Sequence, residues 1–149
     1  MTRFLRPLLL TALALSLVGA SGCGSSKSND YVNAVNKAAN EFASSVKSVP
    51  AATSPSQIKS TTDKYKAAID KVIGDLKAAS PPDKVKALHN ELIGELQQFD
   101  AAVTKFGAAS GTSDPAKLTA AATQFAKDFS AIVGKVPTTI DAINQKLHS

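Results

Sequence analysis

Few side chains in this chain could carry out chemistry, and the single cysteine, Cys23, is the most informative of them. A thiolate is a nucleophile and a metal ligand, but one cysteine can form neither an intrachain disulfide nor a multi-cysteine metal site. Cys23 lies directly after the small residues 19–22, which themselves follow an apolar segment. The position of Cys23 in the chain, rather than any reactive neighbour, therefore indicates its function.

The residues before Cys23 are organised like a secretory signal. Arg3 and Arg6 precede an apolar run of 12 residues, 7–18, whereas a bilayer-spanning helix needs about 20. The run is followed by Gly-Ala-Ser-Gly-Cys at positions 19–23, which resembles the lipobox of bacterial lipoproteins. The resemblance implies cleavage after Gly22 and attachment of a diacylglyceryl group to the Cys23 thiol. The alternative is an ordinary secretory signal followed by a free thiol.

These features divide the chain into a signal peptide over residues 1–22, a polar tether over residues 23–29 and a folded domain over residues 30–149. The tether is rich in Ser and Gly, a composition typical of flexible linkers. Two acyl chains anchor a protein far more firmly than one. We therefore expect a lipid-anchored protein at the extracytoplasmic face of the cell membrane.

The charge pattern does not favour a nucleic-acid partner. The formal net charge is +5, but the mature chain would carry 15 lysines against 12 acidic residues and no arginine. Nucleic-acid surfaces cluster Arg and Lys beside aromatic stacking partners, so we expect no nucleic acid to bind. Between Lys59 and Lys86 the lysines alternate with aspartates, which predicts a solvated face of mixed charge.

The mature chain is predicted to be all-α, because apolar residues recur at steps of three and four in four separate segments. Hydrophobic residues make up 44% of the chain, which is enough to bury a core. The four stripes are Tyr31, Val35, Ala38, Phe42, Val46 and Val49; Ile58, Thr62, Tyr65, Ile69, Val72 and Leu76; Val85, Leu88, Leu92, Leu96, Phe99, Val103 and Phe106; and Leu118, Ala122, Phe125, Phe129, Ile132 and Val136, continued by Ile140, Ile143 and Leu147.

Turn and capping residues separate the four segments. They are Pro50, Ser54-Pro55, Ser80-Pro81-Pro82-Asp83 and Asp114-Pro115. Connections this short favour an antiparallel four-helix bundle. Gly134 and Pro137 interrupt the last segment, so the last helix is expected to be kinked or broken near Pro137.

No combination of residues predicts catalysis or a bound cofactor. A di-iron bundle needs Glu-x-x-His motifs, and the sequence contains none. His89 lies at the edge of the third stripe, where we expect a local hydrogen bond rather than haem ligation. Glu91 and Glu95 are expected to be solvated. The protein is therefore predicted not to be an enzyme, with no catalytic, cofactor-binding or metal-binding residue.

The whole pattern resembles the small Ala- and Lys-rich helical lipoproteins of actinobacteria, most closely in the run Ser-Pro-Pro-x-x-Val-x-x-Leu-His at positions 80–89. The resemblance implies location and fold. The first hypothesis is a non-enzymatic envelope protein whose lipid sits in the membrane and whose helical surface contacts a protein partner. The alternative is a carrier or sensor of haem or another hydrophobic molecule. Its pocket would lie near Tyr65, His89 and the core phenylalanines Phe42, Phe99, Phe106, Phe125 and Phe129.

Overall fold

The computed structural model describes residues 26–50, 52, 55–112 and 114–149. These residues form no strand and four α-helices, which are α1 (Ser26–Ser48), α2 (Pro55–Ala78), α3 (Lys86–Ala109) and α4 (Pro115–His148). A single 3₁₀ turn, Asp83–Val85, precedes α3. The predicted all-α class is confirmed.

Prolines and capping residues set the helix boundaries close to where the sequence predicts them. α1 ends before Pro50, and α2 begins with Pro55. Asp114 caps α4, because its Oδ1 accepts hydrogen bonds from the backbone N–H groups of Ala116 (2.9 Å) and Lys117 (3.4 Å). Such a carboxylate satisfies N–H groups that have no partner inside the helix.

The fourth helix is continuous through Pro137, so of the two predicted outcomes, a kink or a break, the break does not occur. Proline removes the hydrogen bond that its N–H would have donated to residue 133. Val136 and Ile140, on either side, are fully buried in the core. Burial of this stripe favours helical geometry on both sides of Pro137 and outweighs the one missing bond.

The first helix begins earlier than the predicted tether allows. Residues 26–29 were expected to belong to a flexible linker, but they form the first turn of α1, and Ser28 is buried in it. These small polar residues are compatible with a helix once the apolar stripe that starts at Tyr31 packs against its neighbours. Cys23 and the rest of residues 1–25 lie outside the described residues.

Consecutive helices pack side by side and run antiparallel, with the closest backbone approach between α1 and α2, α2 and α3, and α3 and α4. Lys66 of α2 pairs with Asp100 of α3, and Phe106 near the end of α3 stacks on Phe125 near the start of α4. We call the end where α1 and α3 start, and α2 and α4 finish, the proximal end. The opposite end is the distal end.

The predicted stripes form one continuous core. Its least exposed large side chains come from all four helices and are Tyr31, Ile69, Leu76, Leu92, Leu96 and Ile143. Buried alanines, among them Ala38, Ala68 and Ala102, add small contacts that fill the space between larger side chains. Within the described part of the chain, no helix is long and apolar enough to cross a bilayer.

One glycine is required by the packing of α2 against α3. A Cβ atom built on Gly107 would lie 2.8 Å from Thr62 Oγ1. That hydroxyl is held in place, because it donates to the backbone carbonyls of Lys59 (2.8 Å) and Ile58 (3.0 Å). Gly94, in the same helix, has open space around the corresponding position.

The two glycines should therefore respond oppositely to alanine. Gly94→Ala should raise the free energy of unfolding by about 0.5–1 kcal/mol, because alanine loses less backbone entropy in a helix. Gly107→Ala should be less stable than Gly94→Ala by about 1–3 kcal/mol, because the new methyl group overpacks against Thr62. Denaturant unfolding followed by far-UV circular dichroism measures both. Equal stabilisation by the two substitutions would contradict the contact with Thr62.

Candidate functional site

The one residue to which the sequence assigns a chemical role, Cys23, lies outside the described residues, which begin three positions later at Ser26. The structure describes the polar groups inside the bundle instead. Two buried polar pairs interrupt the apolar core, one between Tyr31 and His89 and the other between Glu95 and Thr139. Whether their polar atoms are already hydrogen-bonded within the protein determines whether they could bind a ligand or take part in catalysis.

Tyr31 and His89 join three helices at the proximal end. The Tyr31 hydroxyl lies 3.1 Å from His89 Nδ1, and the two rings meet edge to face with centroids 5.5 Å apart. The His89 ring also hydrogen-bonds the backbone of Leu76 near the end of α2. Both side chains are almost completely buried, at 1% and 3% exposure. The histidine was expected at the edge of the core with a local hydrogen bond; it lies inside the core and bonds across helices.

The hydrogen bonds define one protonation state for this cluster. Burial lowers the pKa of His89, an effect partly opposed by its hydrogen bond to Leu76, so the ring is neutral at pH 7. Burial also raises the pKa of Tyr31 to about 12, so its hydroxyl keeps its proton and can donate to His89 Nδ1. Nε2 then carries the imidazole proton and donates to the Leu76 carbonyl. Both ring nitrogens of His89 are thus hydrogen-bonded to groups of the protein itself.

Glu95 and Thr139 form a second buried polar contact, between α3 and α4. Thr139 Oγ1 donates to Glu95 Oε1 at 3.0 Å, and the glutamate is only 4% exposed. Its other oxygen, Oε2, is buried and has no hydrogen-bond partner among the described residues. Desolvation raises the pKa of Glu95, the Thr139 hydrogen bond lowers it, and the nearby charge of Glu91 raises it further. The expectation of a solvated side chain is met by the exposed Glu91 and is wrong for Glu95.

His89 and the stacked phenylalanines of the hypothetical ligand pocket lie in different parts of the bundle. Phe99 and Phe125 each pack against Phe129, and Phe106 stacks on Phe125, with centroid distances of 5.2–5.9 Å. This phenylalanine ladder lies between α3 and α4 toward the distal half. His89 lies at the proximal end against Tyr31, and Tyr65 is half-buried on α2. All five phenylalanines of the hypothetical pocket are buried in the core.

A shallow groove of about 250 Å³ lies between α2 and α3. It contains none of the residues of the hypothetical ligand pocket. Its lining residues are Lys59, Thr62, Asp63, Lys66, Val103, Thr104, Gly107 and Ala108. Lys59 and Lys66 form ion pairs with neighbouring aspartates, so both cations in the groove already have partners. In the described residues, no three His, Cys, Asp or Glu side chains are placed to hold a metal ion.

Two lysines of the mixed-charge face connect helices. Lys66 Nζ lies 2.8 Å from Asp100 on α3 and 3.1 Å from Asp70 on its own helix. Lys71 pairs with Glu41 on α1 and with Asp75 at 2.7 Å. Both lysines lie at the protein surface, where each pair contributes at most about 1 kcal/mol. They favour the observed pairing of helices.

Sequence reasoning missed the two residues of the α3–α4 polar pair, although the spacing contains a signal for both. Glu95 lies three positions after Leu92 and four before Phe99, within the third apolar stripe. Thr139 lies three positions after Val136 and four before Ile143, within the fourth stripe. A polar residue at a stripe position is a candidate for burial whatever its residue type.

Comparison of this chain with models of protein families, with curated proteins and with solved structures finds no match.

Removal of the Tyr31 hydroxyl should destabilise the bundle. Tyr31→Phe keeps the ring but leaves buried His89 Nδ1 without a donor, which costs about 1–3 kcal/mol of unfolding free energy. The control is Tyr65→Phe, because the half-buried Tyr65 makes no hydrogen bond with a described side chain. Denaturant unfolding should show a clear loss for Tyr31→Phe and little change for Tyr65→Phe. Equal losses would refute the role of the Tyr31 hydroxyl.

The same cluster predicts a dependence of stability on pH. His89 has a lower pKa in the folded state than its ordinary value of 6.5, so below pH 6.5 the unfolded chain binds more protons. Stability should therefore be complete above pH 6.5 and fall as the pH decreases, by at most about 1.4 kcal/mol per pH unit for one proton. His89→Gln should remove this slope, measured as unfolding free energy between pH 7 and pH 5. An unchanged slope in His89→Gln would contradict the assignment to His89.

Glu95 should change the stability of the protein with pH in the direction opposite to His89. Its pKa is raised above the ordinary 4.5, so ionisation is disfavoured in the folded state and the penalty appears as the pH rises. Glu95→Gln should stabilise the protein at pH 8 by about 1–2 kcal/mol, because an ionised buried oxygen is no longer left unpaired. The gain should disappear below pH 4.5. Glu91→Gln, at an exposed position of the same helix, should show no comparable gain.

Proposed function

We propose that this protein is a lipid-anchored, non-enzymatic component of the bacterial cell envelope, held at the extracytoplasmic face of the membrane. The observation that carries the proposal is the position of Cys23. This cysteine, unique in the chain, comes directly after four small residues at the end of an apolar run that two arginines precede. That order matches a lipoprotein signal, and the run is too short for a permanent membrane span.

The helical domain supports an anchored arrangement. α1 begins at Ser26, so only residues 24 and 25 separate the proposed lipid site from the first helix. A lipid at Cys23 would therefore hold the bundle close to the membrane surface by its proximal end. The mature protein would be a compact helical body on a very short connection, rather than a domain on a long flexible linker.

The interior of the bundle favours a role without catalysis. The buried side chains of His89 and Glu95 are engaged in contacts between helices: His89 bonds to Tyr31 and Leu76, and Glu95 accepts from Thr139. A general base or nucleophile must be able to reach a substrate. Neither side chain is exposed by more than 4%. We therefore propose that the outer surface of the helices performs the function through contact with a protein partner.

The start of α4 offers an exposed helical surface for such a contact. Between Pro115 and Gln124 every described side chain is exposed except Leu118, Ala121 and Ala122, which are half-buried. The alternative role, as a carrier of haem or another hydrophobic ligand, has less support. A carrier needs an apolar cavity with free polar groups, whereas the phenylalanines fill their space by stacking on each other.

The proposal is tested at the thiol. In the native host, the wild-type protein should incorporate labelled fatty acid, and its mature mass should correspond to a chain that begins at a diacylated Cys23. Cys23→Ala should lose all of the label, because no other cysteine is present to form the thioether. Ser25→Ala is the control and should keep full labelling. Absence of label from the wild-type protein would refute the lipoprotein assignment.

A further inference from the structure

The two ends of the bundle differ in charge. The proximal end consists of the first turns of α1 and α3, the last turns of α2 and α4, and the segment 79–85 between α2 and α3. It presents five exposed lysines, which are Lys27, Lys77, Lys84, Lys86 and Lys146. Against them stand Asp75, which pairs with Lys71, and Asp83. Asp30, Glu91 and Asp141 follow further into α1, α3 and α4.

The corresponding turns and connecting segments at the distal end carry two lysines instead of five, and Lys59 and Lys105 lie in the adjacent turns of α2 and α3. The two distal lysines are Lys47 and Lys117, against Asp114. The sequence does not reveal this difference, because the five proximal lysines are spread over positions 27 to 146 and come together only when the helices run antiparallel. The fold therefore creates a cationic surface at one end of a bundle whose sides carry mixed charge.

The proximal lysines are available to an external anion. Within the described part of the chain, none of the five is in an ion pair with a carboxylate, and Lys84 donates to the Leu147 carbonyl at 3.2 Å. Along the sides, Lys37, Lys59, Lys66 and Lys71 each contact an acidic side chain, whereas Lys64, Lys105, Lys127 and Lys135 do not. The proximal cations are thus not neutralised within the protein.

The proximal end lies close to the proposed lipid site, because few residues separate Cys23 from the start of α1. Ser26 opens α1 at the proximal end, three residues after Cys23. Three extended residues span at most about 11 Å. This is close to the Debye length of about 8 Å at physiological ionic strength. A bundle attached at Cys23 would therefore hold its proximal lysines within electrostatic range of the membrane surface.

We propose that the proximal end is a membrane-contact surface, at which these lysines bind the phosphate groups of anionic phospholipids. This inference rests on the proposed lipidation of Cys23. The lipid supplies attachment, and the lysines supply orientation. In this orientation the helix axes point away from the membrane surface, and the distal end faces the envelope space. A bundle of 24-residue helices then extends by about 36 Å from the headgroups.

Two variants that lose the same number of positive charges distinguish the effect of the proximal lysines from the effect of net charge. The proximal variant replaces Lys27, Lys77, Lys86 and Lys146 by Gln and keeps Lys84 because of its contact with Leu147. The second variant, called the distal variant, replaces Lys47 and Lys117 of the distal end together with Lys64 and Lys105 of the sides, which are also exposed and have no acidic partner among the described residues. Each variant loses four positive charges from surface positions.

Orientation is measured on the lipidated mature protein in vesicles of phosphatidylcholine, with or without phosphatidylglycerol. Since Cys23 is the one native cysteine, a thiol introduced by Ala87→Cys at the proximal end or Ala116→Cys at the distal end takes a fluorophore uniquely. A lipid with a nitroxide on its headgroup is the short-range quencher. In phosphatidylglycerol vesicles the label at position 87 should be strongly quenched and the label at position 116 should not.

Quenching at position 87 should decrease in high salt, in pure phosphatidylcholine and in the proximal variant, but not in the distal variant. Proximity to the anchor alone would give equal quenching in both kinds of vesicle and would overturn the proposal. So would equal effects of the two variants, or equal quenching at the two label sites.

A second measurement distinguishes failure of this inference from failure of the proposed lipidation. The mature chain with Cys23→Ser has no anchor, and its sedimentation with phosphatidylglycerol vesicles reports the lysine surface alone. One lysine near an anionic surface contributes a roughly fivefold gain in binding. The proximal variant should therefore bind at least about tenfold more weakly than the distal variant. Equal binding by the two variants would refute the lysine surface, whatever labelling shows for Cys23.

Discussion

Each helix of this protein carries one apolar stripe, and no helix can bury its stripe alone. Isolated helices of this length are marginal in water, so the helical state depends on packing between neighbours. Short connections require consecutive helices to lie side by side and to alternate in direction. The same constraint holds α4 helical through Pro137, where buried Val136 and Ile140 keep both sides in the core.

Two buried polar pairs lie within this core, and in each pair the cost of burial is offset by a contact between helices. Tyr31 and His89 satisfy each other and connect α1 to α3, while the imidazole also reaches the carbonyl end of α2 at Leu76. Glu95 and Thr139 connect α3 to α4, although one glutamate oxygen has no described partner. Buried hydrogen bonds of this kind favour one arrangement of helices over others that would leave the same groups unpaired. The polar residues of the interior thus act mainly on the packing of the bundle.

The antiparallel arrangement also determines what each end of the molecule presents. Lysines from four separate parts of the chain meet where α1 begins, whereas lysines in the middle of α2 pair with acidic residues of α1 and α3. The sides of the bundle are therefore close to neutral, and the positive charge is concentrated beside the proposed lipid site. Attachment and orientation would then come from the same end of the protein.

The sequence by itself determined the helices, most of their boundaries and the core, because apolar spacing and capping residues act through local geometry. It is also the basis of the proposed anchor, since the proposed signal at residues 1–23 is a linear motif. Only the tertiary structure decided how polar residues are partnered. His89 was expected to bond locally, but its partner Tyr31 lies 58 positions away in the sequence. Glu95 was expected to be solvated, but it is buried against Thr139 of α4. Both contacts depend on how the helices pack. Burial likewise made residues 26–29 helical, although they were predicted as part of a tether over residues 23–29, and it decided between the alternatives at Pro137. Burial is a property of neighbouring helices rather than of the local sequence. The requirement for glycine at position 107 and the grouping of the proximal lysines were also decided by the tertiary structure. The first depends on a distance between two helices, and the second depends on which helix ends lie together.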